Sequence, residues 1–146
     1  MRTTKHFVHR ALFILVAALL ASGVAVAEVV VVVNPGSGVS SLGKGEVKKL
    51  FLGKMKSLPG GPKAAVVEQA PGSPARDAFN TKVLKKNDKK LKAYWSKMIF
   101  SGKGKPPKQV ANDAEVKAFV SSTPGGIGYM DSSAVDDSVS VVLTVP

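Results

Sequence analysis

The residues best suited to chemistry stand together in the run Gln69-Ala70-Pro71-Gly72-Ser73-Pro74-Ala75-Arg76. Ser73 carries a hydroxyl that both donates and accepts, and Arg76 carries a permanent charge with several N–H donors. Gly72 and Ala75 add backbone N–H groups, and Gln69 adds an amide. Donors of this kind, gathered at one turn, hold an oxyanion; they do not by themselves break a bond.

The elements that must position them are legible on either side. Residues 64–67 form a short apolar, β-branched run that ends where Pro71 and Gly72 appear, which predicts a strand followed by a tight turn. Ser73 is a good N-cap, and Pro74 suits the first helical position, where no N–H is needed. Behind it Ala78, Phe79, Val83 and Leu84 recur on one face of the expected helix. The turn then presents Ser73 and unpaired N–H groups beyond the strand end, where a helix N-terminus attracts anions.

Upstream, Val29–Val33 is an unbroken valine run, which predicts a central strand buried on both faces and parallel to its neighbours. It leads into the turn-rich loop 34–41, where Ser37, Ser40 and Ser41 stand. A helix follows, with Val47, Leu50 and Phe51 inward and Gly53 at its end. Strand, helix, strand, helix is the pattern of a parallel crossover, and ligands of open parallel sheets bind beyond the carboxyl ends of the strands. By that topology the loops 34–41 and 68–73 share one edge, and Ser37 joins the candidates. Downstream, Asn87 or Asp88 caps a helix bearing Leu91, Tyr94 or Trp95, and Met98. A basic glycine- and proline-rich loop, 101–108, reads as a connector or as a charged lip over a cleft. Asn112 and Asp113 cap a further helix with Val116, Phe119 and Val120, and strands are expected at 127–130 and 139–145.

Three segments then stand in a telling order: Val47-Lys48-Lys49-Leu50-Phe51-Leu52-Gly53-Lys54, Gly72-Ser73-Pro74-Ala75-Arg76-Asp77-Ala78-Phe79 and Pro124-Gly125-Gly126-Ile127-Gly128-Tyr129. This order resembles the substrate-binding proteins of phosphate ABC transporters, which have the type 2 periplasmic binding protein fold. The resemblance implies an α/β domain with three layers, like one lobe of such a protein, and an oxyanion such as phosphate as ligand. It implies an ABC transporter as partner. Two positions depart from the family pattern. Its Ser-Gly-Thr anion loop reads Ser73-Pro74-Ala75 here, and its arginine four residues before the serine is replaced by Gln69. Pro74 removes one N–H and Gln69 removes a charge-assisted partner, which predicts weak phosphate binding.

Arg2, Lys5 and Arg10, the apolar residues 11–20 and Ala25-Val26-Ala27 read as an export signal cleaved after Ala27, which predicts a periplasmic protein. Residues 28–146 then form a single domain. The chain has no Cys, which excludes a lipid-anchored cysteine and disulfides, and its two His residues, His6 and His9, both fall in the signal. An enzyme is not expected, since the usual base, thiol nucleophile and zinc ligands are missing. No cofactor or metal site is expected either.

Removing Arg2, Lys5 and Arg10 from the 21 Lys+Arg leaves 18 against 10 Asp+Glu. The surplus lies between Lys44 and Lys108, which favours anionic partners: an oxyanion, an anionic envelope surface or an acidic protein. The export signal argues against nucleic acid. Two readings follow: a weak oxyanion-binding module, closed by a second copy or a partner, or a non-catalytic interaction module that kept the scaffold and lost the ligand.

Overall fold

A computed structural model describes residues 28–146; the expected export signal, residues 1–27, lies outside them. β1 (Val29–Val33) is buried along its whole length. Its alternation divides the core in two. Val29, Val31 and Val33 join one cluster, and Val30 and Val32 join the other.

The first cluster is covered by α1 (Lys44–Phe51), by α2 (Pro74–Phe79) with the π-helical turn Asn80–Leu84 that continues it, and by α3 (Asp88–Phe100). The second is covered by α4 (Asp113–Ser122), through Val116 and Val120. Helices on both faces of one sheet give the three-layer α/β lobe that the resemblance implies.

The sheet holds five strands: β1, β2 (Ala65–Gln69), β3 (Lys108–Val110), β4 (Gly126–Asp131) and β5 (Ser140–Val145), in the order β3-β2-β4-β1-β5. β2 is parallel to β3 and to β4. β1 is an interior strand, flanked on both sides as its unbroken valines predict. It is second from the edge, however, and antiparallel to both β4 and β5, which corrects the expected direction. The reason lies in the connection. After α1 the chain doubles back through residues 52–64, where Ser57 bridges Lys63, and enters β2 at the edge where β1 ended. Asn34 N–H donates to Gly126 O at that edge, and Ala65 N–H to Gly125 O. Unbroken burial reveals that a strand is covered on both faces; it carries no sign of direction.

β3 is a second departure, because Lys108 reads from sequence as part of a loop. Three residues pairing with the parallel run Val67 to Gln69 are too few to show a period. The Ile-Gly-Tyr strand, by contrast, has a packing cause. A Cβ on Gly128 would sit 2.7 Å from both Val116 Cγ1 and Val67 Cγ1, so the bare glycine lets α4 lie against the sheet.

Candidate functional site

β2 ends by sending neighbouring side chains to opposite faces. Glu68 turns towards α2 and α3, and Gln69 towards α4. Both are buried. The chain then turns through Gly72, whose φ of 93° favours a residue without a Cβ. Ser73 caps α2 as expected: its Oγ accepts from Arg76 N–H at 3.3 Å, and Pro74 occupies the first helical position.

Beside this turn lies a small recess of about 260 Å³ lined by Gln69, Ser73, Pro74, Ala75, Asp113 and Asp131, among others. Its polar groups are largely committed to one another. Ser73 Oγ donates to Gln69 Oε1 at 2.6 Å. Gln69 Nε2 donates to Asp113 Oδ1 at 2.6 Å and to Tyr129 O at 3.2 Å. Gln69 N–H donates to the Tyr129 hydroxyl at 3.0 Å. Tyr129 is itself buried and stacked on Phe79 at 4.2 Å, and burial pushes its phenol well above the ordinary value. The Ala75 N–H, in the first turn of α2, has no acceptor within the helix.

Gln69, Ser73 and Ala75 therefore meet at one recess, with Gly72 in the turn that forms it. Arg76 does not line this recess. It points into the interior, where Nη1 lies 3.2 Å from Glu68 Oε2 and donates to Gln69 O at 2.9 Å, and Nε lies 2.9 Å from Asp88 Oδ1. Two carboxylates hold its charge, so little is left for a ligand at the turn. Burial pushes the Glu68 carboxyl above its ordinary value, while Arg76 pulls it back.

Ser37 stands apart for a topological reason. Because β1 runs antiparallel to β2, the loop after it lies at the other edge of the sheet. Asn34 there donates to Val120 O and Ser121 O in the last turn of α4, whereas Asp113 of the first turn lines the recess. Ser37 is buried, and its Oγ accepts from Val39 N–H at 3.2 Å. It serves the local turn.

Asp113 and Asp131 are the site residues that sequence reading missed. Asn112 and Asp113 read together as the cap of α4, and Asp131 lies just past the expected strand 127–130, in polar-turn sequence. Asn112 is the cap itself, and Asp131 Oδ1 accepts from Ser133 N–H at 2.9 Å. A signal was present in the chain ends: Asp113 opens a helix after β3 and Asp131 closes β4, and parallel β2, β3 and β4 end at one edge. The recess consequently has donors on one wall and carboxylates on the other, with no Lys or Arg among its lining residues. Among the described residues no cluster of His, Cys, Asp or Glu is arranged to hold a metal. None of the helices described is long and apolar enough to cross a membrane.

No protein-family model matches the chain. Over 130 residues it is 30% identical to the phosphate-binding protein PstS of Bacillus subtilis (strain 168), covering 88% of this chain and 39% of that protein. The phosphate ABC transporter substrate-binding protein of Clostridium perfringens, solved with bound phosphate, superposes with a TM-score of 0.64 at 25% identity. That match covers 80% of this chain and 45% of the other. An ABC-type phosphate transport receptor from Vibrio cholerae shares the fold at a TM-score of 0.64 and 18% identity, covering 80% of this chain and 46% of that one. The chain thus spans less than half the length of each of these relatives. Motifs, sheet and superposition agree that it is similar to one lobe of the phosphate ABC transporter substrate-binding proteins.

Proposed function

We propose that this chain is a non-catalytic, periplasmic solute-binding lobe of the phosphate-transport type, which holds a protonated oxyanion weakly at the Ser73 recess. The observation that supports this most is the division of the recess into two walls. On one side stand the Ser73 hydroxyl and the Ala75 N–H; on the other stand Asp113 and Asp131. An oxyanion that still carries a proton, such as dihydrogen phosphate, can accept from the first wall and donate to the second. Sulfate has no proton to donate at neutral pH, and it meets two carboxylates. The likeness to phosphate-transport proteins makes an ABC transporter the corresponding partner.

Binding should be weak for three reasons. Pro74 supplies no N–H, Gln69 supplies no charge, and the Ser73 hydroxyl already has a partner. We expect a Kd on the order of 0.1–10 mM, or roughly 3–5 kcal/mol, until a second copy or a partner covers the recess. Thermal melts in rising phosphate, with chloride matched for ionic strength, test this. Stabilisation should appear only near millimolar phosphate, be smaller in Ser73→Ala, and be absent with sulfate. Micromolar affinity in a monomer would overturn the expectation of weakness. An equal response from Ser73→Ala would move the anion away from this turn.

A second reading has its own observation. The bonds among Ser73, Gln69 and Asp113 close the recess on itself, as they would in an interaction module that kept the scaffold without the ligand. No stabilisation by phosphate at any concentration would favour that reading.

A further inference from the structure

A second and larger depression lies where the α1 and α3 layer reaches the β2 side of the sheet, and Phe119 of α4 borders it from the other layer. It is a groove of about 810 Å³, within the range of organic-ligand sites and far larger than a single tetrahedral oxyanion needs. Two runs singled out in the sequence meet there. The end of α1 and its Phe51-Leu52-Gly53 turn make one wall, and the basic loop after α3 makes the other. The floor includes Trp95, Pro106 and Phe119. Lys56, Lys63, Lys105 and Lys108 line it, and no Asp or Glu does.

The charge of this groove is uncompensated. Among the described residues the ion pairs use Arg76 and Lys117, and none of the four groove lysines is paired with a carboxylate. Lys108 instead lies over the Phe119 ring, with Nζ 5.2 Å from its centre. Lys56 Nζ sits between the walls, 3.8 Å from where a Cβ on Gly53 would lie and 3.9 Å from the same point on Gly104. The walls are tied in place. Tyr94 Oη donates to Leu52 O at 2.6 Å, joining α3 to the end of α1, and Lys103 N–H donates to Met98 O at 2.9 Å. The ladder from β2 to β3 starts only at Val67, which leaves Val66 against the groove.

We propose that this groove is a ligand site distinct from the Ser73 recess, and that it takes a small organic dianion, of which a phosphate monoester on a ring-sized apolar body is the simplest case. The choice of occupant follows from the lining. Lysine ammonium groups are mobile point charges that attract a multiply charged group without demanding one geometry. The aromatic and proline lining has no use for an inorganic ion but gives a ring-sized apolar body its contact. A neutral apolar ligand would leave the four lysines without a counter-charge, and an inorganic anion would make no use of the apolar lining.

Trp95 is the single tryptophan of the chain and lines this groove, so its emission is a probe of binding there. Lysine variants separate that signal from one at the neighbouring cavity by Arg76, which Trp95 also borders. The test titrates the whole protein with cyclohexyl phosphate at constant ionic strength. Cyclohexanol and inorganic phosphate are the parallel arms. A saturable change in Trp95 emission is expected with cyclohexyl phosphate, at a concentration at least tenfold below that needed of either parallel ligand. Lys56→Gln/Lys105→Gln, which alters exposed side chains, should weaken it tenfold or more, whereas Ser73→Ala should leave it unchanged. Equal response to cyclohexanol would remove the role of the lysines, and equal response to inorganic phosphate would remove the role of the floor. Loss in Ser73→Ala, or no change in the double lysine variant, would also overturn the proposal.

Discussion

Arg76 Nη1 lies 3.2 Å from Glu68 Oε2, and both side chains are withdrawn almost wholly from water. The strongest charge in the candidate run is therefore spent holding β2 to α2, and not on a ligand. Its removal should be felt in stability. Arg76→Met leaves Glu68 buried without its partner, and breaking such a pair costs about 3–5 kcal/mol. Urea unfolding should show that loss. Adding Glu68→Gln to Arg76→Met should restore a good part of it, because the orphaned charge is then gone.

The same pair sets a pH dependence. Glu68 has its folded-state pKa above its unfolded value, chiefly through burial. The folded chain therefore holds that proton more tightly, and the group favours folding below the unfolded value. Its contribution falls as pH rises from the unfolded value through the folded one. The stability of the natural chain relative to Glu68→Gln should accordingly fall as pH is raised from 4 to 7, by urea unfolding at each pH. A difference that grew with pH would mean that Arg76 outweighs burial.

Gly128 gives a third prediction, about α4. A Cβ at this position would meet two valine methyl carbons at 2.7 Å, one from α4 and one from β2. Neither valine is a flexible chain end, so the helix must shift. Gly128→Ala should cost about 1–3 kcal/mol, the usual range for overpacking. It should also loosen the Asp113 end of α4, visible as faster amide exchange there. Gly45→Ala, with open space at its Cβ position, is the control and should not destabilise.

Much of this was legible from residue types. The Ser73 cap, the Pro74 start and the inward faces of α1, α3 and α4 follow from local chemistry that tertiary contacts did not override. What escaped was directional. The five valines of β1 tell how deep the strand lies but not which way it runs, and that one bit moves Ser37 to the far edge of the sheet. The orientation of Arg76 escaped too, since a residue in the first turn of a helix can face the ligand or the core. Glu68, one residue before Gln69 on the alternate face of β2, decides it. Asp113 and Asp131 were hidden because each has a sufficient local role. Only the shared edge of β2, β3 and β4 brings them to Ser73.

The last prediction concerns what blocks tight binding at the recess. Gln69 stands where the phosphate-binding pattern has an arginine, and its Nε2 lies 2.6 Å from Asp113 Oδ1. Restoring the charge alone should achieve little, because Gln69→Arg would place a guanidinium against that carboxylate and form an internal pair. Asp113→Asn alone removes repulsion but adds no donor with charge. The two together should act more than additively: the arginine stays charged, and no carboxylate competes for it. A hydrogen bond to a charged group contributes about 1.5–3 kcal/mol, so the double variant should bind phosphate roughly tenfold to a hundredfold more tightly than the natural chain. Calorimetric titration of all four proteins, with each also measured against sulfate, gives the coupling directly. The double variant should gain some sulfate binding as well, since the arginine supplies charge and only Asp131 of the two recess carboxylates remains. Additive single effects would mean that Asp113 does not oppose the anion. Unchanged phosphate affinity in the double variant would show that the Ser73 recess is not an oxyanion site.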